Sequence, residues 1–435
     1  MTSSGRVKNQ VAVIGAGVSG LIVSKRLKAE GLNPIIYERN GAPGGVWNFQ
    51  HDGDSPFSSA MYESLEANFP KDLMEFVDFP WKRGTSMFPT RATIEEYLND
   101  YSADLQVEYD TEVVDVYRQS RIRPRDWKVV TKRVDQPDKG EEEKNGPQTT
   151  SRDFDFVVVA TGTFDKPFVP DYPGLDTWKE VFPDRNVLII GNSASGWDIS
   201  KQLAPLASKV WVSSTRRDMV TSDPRNELVS PVRKFDAKKR TVHLENEEEE
   251  EEEGGSDERT LSNVDIIIFC TGYLYSFPFL HHMAETTRNG PRHPIWSDGY
   301  RVEGLYEHIV NIERESLMFV GLPKAGPTWL VAQAQAHVVA RAVKGTLFYP
   351  YKTEMRQIEA NEVARWQDDI ANGKRGENER SFHNLPGSKC AEYIDRLEEW
   401  CLEADEAEEN KRAAKKRKRR HNFSTPEALG VVQDD

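Results

Sequence analysis

The feature that most constrains this chain is a local pattern that occurs twice: an apolar run, a turn of closely spaced small residues, a helical segment and a second apolar run. The first copy, "VAVIGAGVSG", has an apolar stretch from Val11 to Ile14, glycines at 15, 17 and 20, and a helical pattern through Leu21, Val23 and Leu27 to Gly31. A second apolar run, Pro34 to Tyr37, follows and ends in Glu38. Strand, tight turn, helix and strand make a βαβ unit. The second copy runs from a strand over Asn186–Ile190 through "GNSASG" to a helix over Trp197–Ala207 and a strand over Val210–Ser213. Two such units in 435 residues predict an α/β chain with two Rossmann-like dinucleotide-binding domains.

The first turn is a full G-x-G-x-x-G. Gly15 permits the tight turn, Gly17 lets backbone approach a pyrophosphate, and Gly20 lets the helix pack on the strand, with phosphates at the helix N-terminus. Gly15, Ala16, Gly17, Val18, Ser19 and Gly20 are therefore assigned to nucleotide binding. Glu38, 18 residues after Gly20, ends the second strand where a carboxylate can accept hydrogen bonds from a free ribose. The alternative for Glu38, a strand-end carboxylate without a ligand, is disfavoured by the complete fingerprint.

The second turn differs at two informative places. Ser193 replaces the middle glycine, so backbone approach is tighter but a hydroxyl can donate to phosphate. This assigns Gly191, Ser193, Ser195 and Gly196 to a second nucleotide. The following strand ends in "SSTRR", with Arg216 lying 20 residues after Gly196 and no carboxylate where a reader of the 2′-hydroxyl would sit. Ser214, Thr215, Arg216 and Arg217 offer donors and charge to a 2′-phosphate, which favours NADPH over NADH. Two arginines on a solvated loop are the alternative.

Elsewhere the pattern predicts a helix over Thr93–Leu105, strands over Val107–Tyr117 and Trp127–Val134, and a strand "FDFVVVATG" ending at Gly162. Asp135–Arg152 reads as a solvated hairpin loop. A strand at Ser316–Val320, a helix at Leu330–Lys344 and two long polar helical segments follow. Three cysteines with no C-x-x-C pair are too few for a disulfide scaffold or a multi-cysteine zinc site, and they exclude a dithiol relay. The adjacent His281 and His282 read as surface residues rather than metal ligands, so no metal site is expected.

The net charge of −14 argues against nucleic-acid and anionic-membrane partners. The two extreme charge runs, eight glutamates in Glu245–Glu253 and eight basic residues in Lys411–Arg420, cancel one another. The first reads as a self-repelling surface loop and the second as a solvated helix end, with a nuclear signal as its alternative. No apolar run approaches the roughly 18 residues of a bilayer span, and the polar residues Met1–Gln10 do not resemble a signal peptide. A soluble, cytoplasmic protein is expected, with homo-oligomerisation left open.

Two nucleotide units without a dithiol, a metal cluster or a nucleophile-base pair narrow the chemistry to one cofactor reducing the other, with oxygen a natural acceptor. Further motifs sharpen this: "GGVW" (Gly44–Trp47), "YESLEANFPKDLMEFVDFP" (Tyr62–Pro80), "ATG" (Ala160–Gly162) and "CTGY" (Cys270–Tyr273), followed shortly by "SFPFL". On these the chain resembles the flavin-containing monooxygenases, of the N,N-dimethylaniline-monooxygenase type, from about Val11 to Arg341.

The resemblance implies FAD in the first unit and NADPH in the second. It also implies a C4a-hydroperoxyflavin, made from NADPH-reduced FAD and O2, that oxygenates a small-molecule nucleophile at sulfur or nitrogen. It adds Gly45, Val46, Trp47 and Phe69 to the flavin site, places Asn68 where it supports the oxygenated flavin, and brings Gln335 within reach of the flavin.

The expected organisation is an FAD domain of about 1–173 and 273–435, with an NADPH domain of about 174–272 inserted. One segment departs from the family. "PGLDTW" opens the linker motif F-x-G-x-x-x-H-S-x-x-Y/F with Trp178 at its phenylalanine, but no histidine occurs between Gly174 and Gly191. Gln333 stands where relatives often carry glutamate. The competing expectation is an FAD-binding protein with impaired NADPH use, acting as an NADPH oxidase or a scaffold. A nucleic-acid binder acting through the basic tail is the third.

Overall fold

The computed structural model describes residues 9–50, 56–57, 60–119, 126–134, 149–177, 186–215, 220–245, 259–283, 296–374 and 378–423. The chain divides into two compact units, Met1–Asp165 with Tyr275–Asp435, and Lys166–Leu274.

The first unit opens with β1 (Val11–Ile14), α1 (Val18–Ala29), β2 (Ile35–Tyr37), α2 (Arg91–Ser102) and β3 (Val107–Glu108). A meander of β4 (Thr111–Arg118), β5 (Trp127–Arg133) and β6 (Thr149–Phe154) then leads into β7 (Phe156–Val159). β1 lies between β2 and β7, all parallel, with Ile14 paired to Tyr37 on one side and to Val159 on the other. Val11 to Ile14 are buried without alternation, as a parallel strand covered on both faces requires.

The second unit holds β8 (Lys166–Pro167), β9 (Asn186–Ile190), α3 (Ala194–Leu203), β10 (Lys209–Ser213), β11 (Glu227–Val229), the antiparallel β12 (Val232–Asp236), β13 (Thr241–Leu244) and β14 (Thr260–Ser262), β15 (Ile266–Phe269) and β16 (Tyr273–Leu274). Its four-stranded sheet has the order β11-β10-β9-β15, all parallel. β8 pairs with β16 where the chain enters and leaves the unit. The sequence places the helix start at Trp197. It lies at Ala194 instead, because Ser193 is extended (φ −97°, ψ −161°) and serves as the N-cap, which puts Ser195 and Gly196 in the first helical turn.

Back in the first unit come the ribbon β17 (Trp296–Ser297) and β18 (Val302–Glu303), then β19 (Leu305–Tyr306), β20 (Val310–Asn311), β21 (Leu317–Phe319), α4 (Thr328–Lys344), α5 (Lys352–Ala371) and α6 (Ser388–Phe423). The completed sheet has the order β19-β20-β21-β7-β1-β2-β3. One face packs on α1, α2 and α4, with Leu21, Leu27, Ile94, Val338, Val339 and, from α6, Tyr393 in a common core. The other face is covered by the meander through Val116, Trp127, Val129 and Phe154.

Trp127 is fully buried, and its indole N–H donates to Ser316 Oγ at 2.9 Å. The side chains of α6 are described only to Asn410, so those of the basic run lie outside the described residues, as do the hairpin loop 135–148 and the acidic residues after Glu245.

Candidate functional site

In both units the glycine turn sits at the carboxyl end of the central parallel strand, the place where open α/β sheets bind ligands. Gly15 and Gly191 have φ of +102° and +105°, a left-handed conformation in which a side chain would be strained. Their amides donate to the ends of the neighbouring strands, Gly15 to Tyr37 O (2.8 Å) and Gly191 to Ser213 O (2.9 Å). A Cβ on Gly20 would lie 1.9 Å from Gly15 O, and one on Gly196 would lie 1.9 Å from Gly191 O. Helix and strand therefore meet at a distance only glycine allows.

In the first unit α1 begins immediately after the turn, with Gly17 as its N-cap and no acidic residue in its first turn. The leading N–H groups of α1, through Val18, Ser19 and Gly20, have no acceptor inside the helix, so the turn is electropositive. A second turn lies against it. Gly44 N–H donates to Ala16 O (2.9 Å), Gly17 and Gly44 form a parallel bridge, and a Cβ on Gly45 would lie 2.8 Å from Gly17 Cα. The short helix Gly45–Trp47 follows, with Val46 and Trp47 half-buried and Trp47 packed on the core.

Glu38 is buried, and its carboxylate accepts from Ala16 N–H (2.7 Å) and Asn40 N–H (2.9 Å). Burial raises its pKa, opposed by those two backbone hydrogen bonds. Each carboxylate oxygen has a second lone pair to offer. Thr161 Oγ1, just beyond the end of β7 and close to Gly15, is buried and has no hydrogen-bond partner among the described residues.

Asn68 and Phe69 lie on a segment held by backbone bonds from Ala67 N–H to Pro89 O (2.9 Å) and Lys71 N–H to Met87 O (2.7 Å). Asn68 is exposed, and Phe69 is half-buried against the core. Gln333 bridges to the following loop, accepting from Val77 N–H (3.0 Å) and donating to Glu75 O (3.1 Å). A glutamate could accept but not donate, so the amide has a structural reason here.

Gln335 is placed otherwise than reach toward a ligand would have it. It is fully buried, and both ends of its amide are engaged by the chain, with Gly321 N–H and Tyr393 Oη each at 2.9 Å.

In the second unit Ser193 and Ser195 are exposed at the N-terminus of α3, and Ser193 makes no side-chain capping bond. Their hydroxyls and the first-turn amides suit an anion. Asn192, beside them, is buried, with its amide donating to Val220 O (3.2 Å) and its Oδ1 without a hydrogen-bond partner among the described residues. Ser214 follows the carboxyl end of β10 and is half-buried. No carboxylate occupies the position equivalent to Glu38, which is Ser214; Ser213, the counterpart of Tyr37, donates its hydroxyl to Ser230 O (3.0 Å). Arg216 and Arg217 lie outside the described residues, as does the linker 178–185.

The glycine-shaped cradle, the acceptor at Glu38 and the donors at both helix starts suit nucleotide phosphates at each turn and a ribose at the first. Among the described residues no group of three His, Cys, Asp or Glu could hold a metal, and no helix is long and apolar enough to cross a membrane. Sequence reasoning quoted Gly44 within "GGVW" and Asn192 within "GNSASG" without assigning either, and it missed Gly321. Gly321 carries a visible signal of its own, an apolar strand ending in glycine like both assigned turns.

Comparison with known proteins bears on the whole chain. Residues 8–227 and 242–398 match the flavin-binding monooxygenase-like family. A flavin-containing monooxygenase of Arabidopsis thaliana, FMO GS-OX3, is 30% identical over 387 residues, covering 80% of this chain and 76% of that protein. The thiol-specific monooxygenase of Saccharomyces cerevisiae is 27% identical over 425 residues, 90% of this chain and 85% of its own. Among solved structures, the S-allyl-L-cysteine S-oxygenase of Allium sativum superposes with a TM-score of 0.71 at 27% identity, covering 91% of this chain and 89% of that one.

Proposed function

The chain belongs to the flavin-binding monooxygenase-like family and is a flavin-dependent monooxygenase, an oxidoreductase; from that premise we propose that it uses FAD, NADPH and O2 to oxygenate a soft nucleophile, sulfur before nitrogen, on a small molecule. FAD belongs to the first unit, held by the turn Gly15–Gly20, Glu38, the Gly45–Trp47 helix and Phe69. NADPH belongs to the second, held by Gly191, Ser193, Ser195, Gly196, Ser214 and Arg216. When bound, a flavin reduced by the nicotinamide activates O2 so that one atom enters the substrate and the other leaves as water.

The chain's own residues bind, orient and shield. The backbone donors at the start of α1 neutralise the pyrophosphate, and Glu38 accepts from the ribose. Asn68, exposed beside Phe69, can donate from its amide to oxygen at the reacting edge of the flavin. No protein nucleophile or general base would be required, because a bound flavin would supply electrophilic oxygen to the lone pair of a sulfur or amine. Sulfur is placed first because the names of the yeast and garlic relatives specify thiol and S-oxygenation.

The observation that carries this reading is the unlike pair of turns, a buried carboxylate closing the first and two exposed hydroxyls at the second. Anaerobic addition of NADPH to the purified protein tests it. Bleaching of the flavin's visible absorbance by NADPH, and far more slowly by NADH, is expected. A flavin that neither nucleotide bleaches would contradict the assignment.

A further inference from the structure

The floor of the first glycine turn is held in place from the far end of the chain. Gly321, which follows β21 by one residue, has φ +83°, and a Cβ there would lie 2.2 Å from Ser19 Oγ. It is thus pressed against the first helical turn of α1, the turn that offers its amides to a nucleotide.

Gln335 on α4 ties this connection from outside. Its Oε1 accepts from Gly321 N–H (2.9 Å), and its Nε2 donates to Tyr393 Oη (2.9 Å). Tyr393, on α6, in turn donates its hydroxyl proton to Glu307 O (2.6 Å). Gln335 and Tyr393 are 0% and 1% exposed. Glu307 and His308 are both in the left-handed region (φ +50° and +54°), and Arg396, one turn beyond Tyr393, holds the Glu307 carboxylate at 2.9 Å.

The chain of bonds has a direction. A tyrosine hydroxyl has one proton, and Glu307 O takes it, so toward Gln335 the oxygen can only accept. That requirement turns the NH2 of Gln335 to Tyr393 and its carbonyl to Gly321. Without the hydroxyl, Gly321 N–H still selects the carbonyl of Gln335, but the buried NH2 group is left without its acceptor. The side chain then shifts to satisfy that donor, and its hold on Gly321 N–H loosens.

We infer that Gln335 and Tyr393 are positioning residues of the flavin site, acting through Gly321 and Ser19, so that α6 sets how tightly the first turn grips its cofactor. This rests on the reading that the first turn holds FAD.

The test is a set of full-length variants stripped of flavin and titrated with FAD. Tyr393→Phe keeps the ring and removes one oxygen, and it should weaken FAD binding about tenfold. Gln335→Leu should weaken it by as much or more. The double variant should be no weaker than Gln335→Leu, since both changes cut one chain of contacts. Trp127→Phe removes a buried hydrogen bond on the opposite face of the sheet, and it should leave the FAD constant unchanged while lowering thermal stability. Unchanged FAD binding in Tyr393→Phe overturns the inference. So do strictly additive effects, or an equal loss in Trp127→Phe. A wild-type chain that takes up no FAD overturns the reading beneath it instead.

Discussion

The two glycine turns share a backbone and differ in chemistry. Gly15 and Gly191 have nearly the same φ, both hand their amide to the neighbouring strand, and Gly20 and Gly196 leave the same 1.9 Å for a side chain. Around that common frame, the first turn is enclosed by a buried glutamate and by the Gly44–Trp47 turn, whereas the second presents two exposed serines. One backbone device can thus serve two cofactors, and the surrounding side chains decide which.

The largest effect expected from breaking this symmetry comes from the helix-packing glycines. Gly20→Ala forces a contact costing at least about 3 kcal/mol and should yield protein without flavin. Gly196→Ala should yield protein that keeps its flavin and is not reduced by NADPH. Loss of flavin in both variants would show that the two turns do not act separately. Absorbance spectra of the purified variants decide the matter.

Next comes Asn68, which belongs to neither turn. Replacing a donor aimed at developing negative charge costs a hundredfold or more in favourable cases, so Asn68→Ala should cut product formed per NADPH by about tenfold or more. FAD content should stay the same, and hydrogen peroxide should account for the missing oxygen. Asn68→Asp should be at least as damaging, because it brings negative charge to the same place. Unchanged coupling in both variants removes Asn68 from the reaction.

The side chains that distinguish the turns should exchange no roles. Arg216→Ala should erase most of the preference for NADPH over NADH, about ten- to a hundredfold, and leave FAD binding alone. Glu38→Gln should do the reverse, weakening FAD by about tenfold with the nicotinamide preference intact.

The smallest expected effect is a pH dependence confined to the first turn. Burial raises the pKa of Glu38, so the folded protein takes up this proton at higher pH than the unfolded chain does. Protonation relieves the cost of a buried charge, so this group stabilises the cofactor-free fold as pH falls through its folded pKa. FAD affinity moves the other way, because a protonated carboxyl accepts less well from ribose hydroxyls. Titrations at pH values lowered stepwise from neutrality toward the ordinary carboxylate range should show FAD weakening in the wild type and little change in Glu38→Gln. A parallel decline in both would assign the dependence elsewhere.

Much of this was legible in the sequence because the constraint is local. A strand that must turn into a helix within a few residues requires Gly15 and Gly20, and the apolar runs of β1, β2, β7 and β9 reveal parallel strands buried on both faces. The start of α3 was missed by one turn because Ala194 and Ser195 read as part of the loop, while the extended Ser193 lets the helix begin at once. Long-range contacts left less trace. Nothing near Gly44 indicates that it will bridge to Gly17, and nothing near Gln335 or Tyr393 indicates that they meet Gly321. Such partners are brought together by the packing of α4 and α6 on the sheet, and a glutamine in a core helix looks the same whether it serves a ligand or a backbone amide. Gln333 illustrates the point, since its difference from the expected glutamate makes sense only once Val77 and Glu75 are seen on either side of its amide.

The central claim is that this chain couples a flavin in its first unit to a nicotinamide in its second in order to transfer one oxygen atom. Turnover of a small thioether with NADPH under isotopically labelled O2, followed by mass spectrometry of the product, tests it most directly. The account predicts a sulfoxide carrying one labelled atom, formed in proportion to NADPH consumed and absent when NADPH is omitted. NADPH consumption that yields only labelled hydrogen peroxide, with thioethers and tertiary amines alike recovered unchanged, would contradict it.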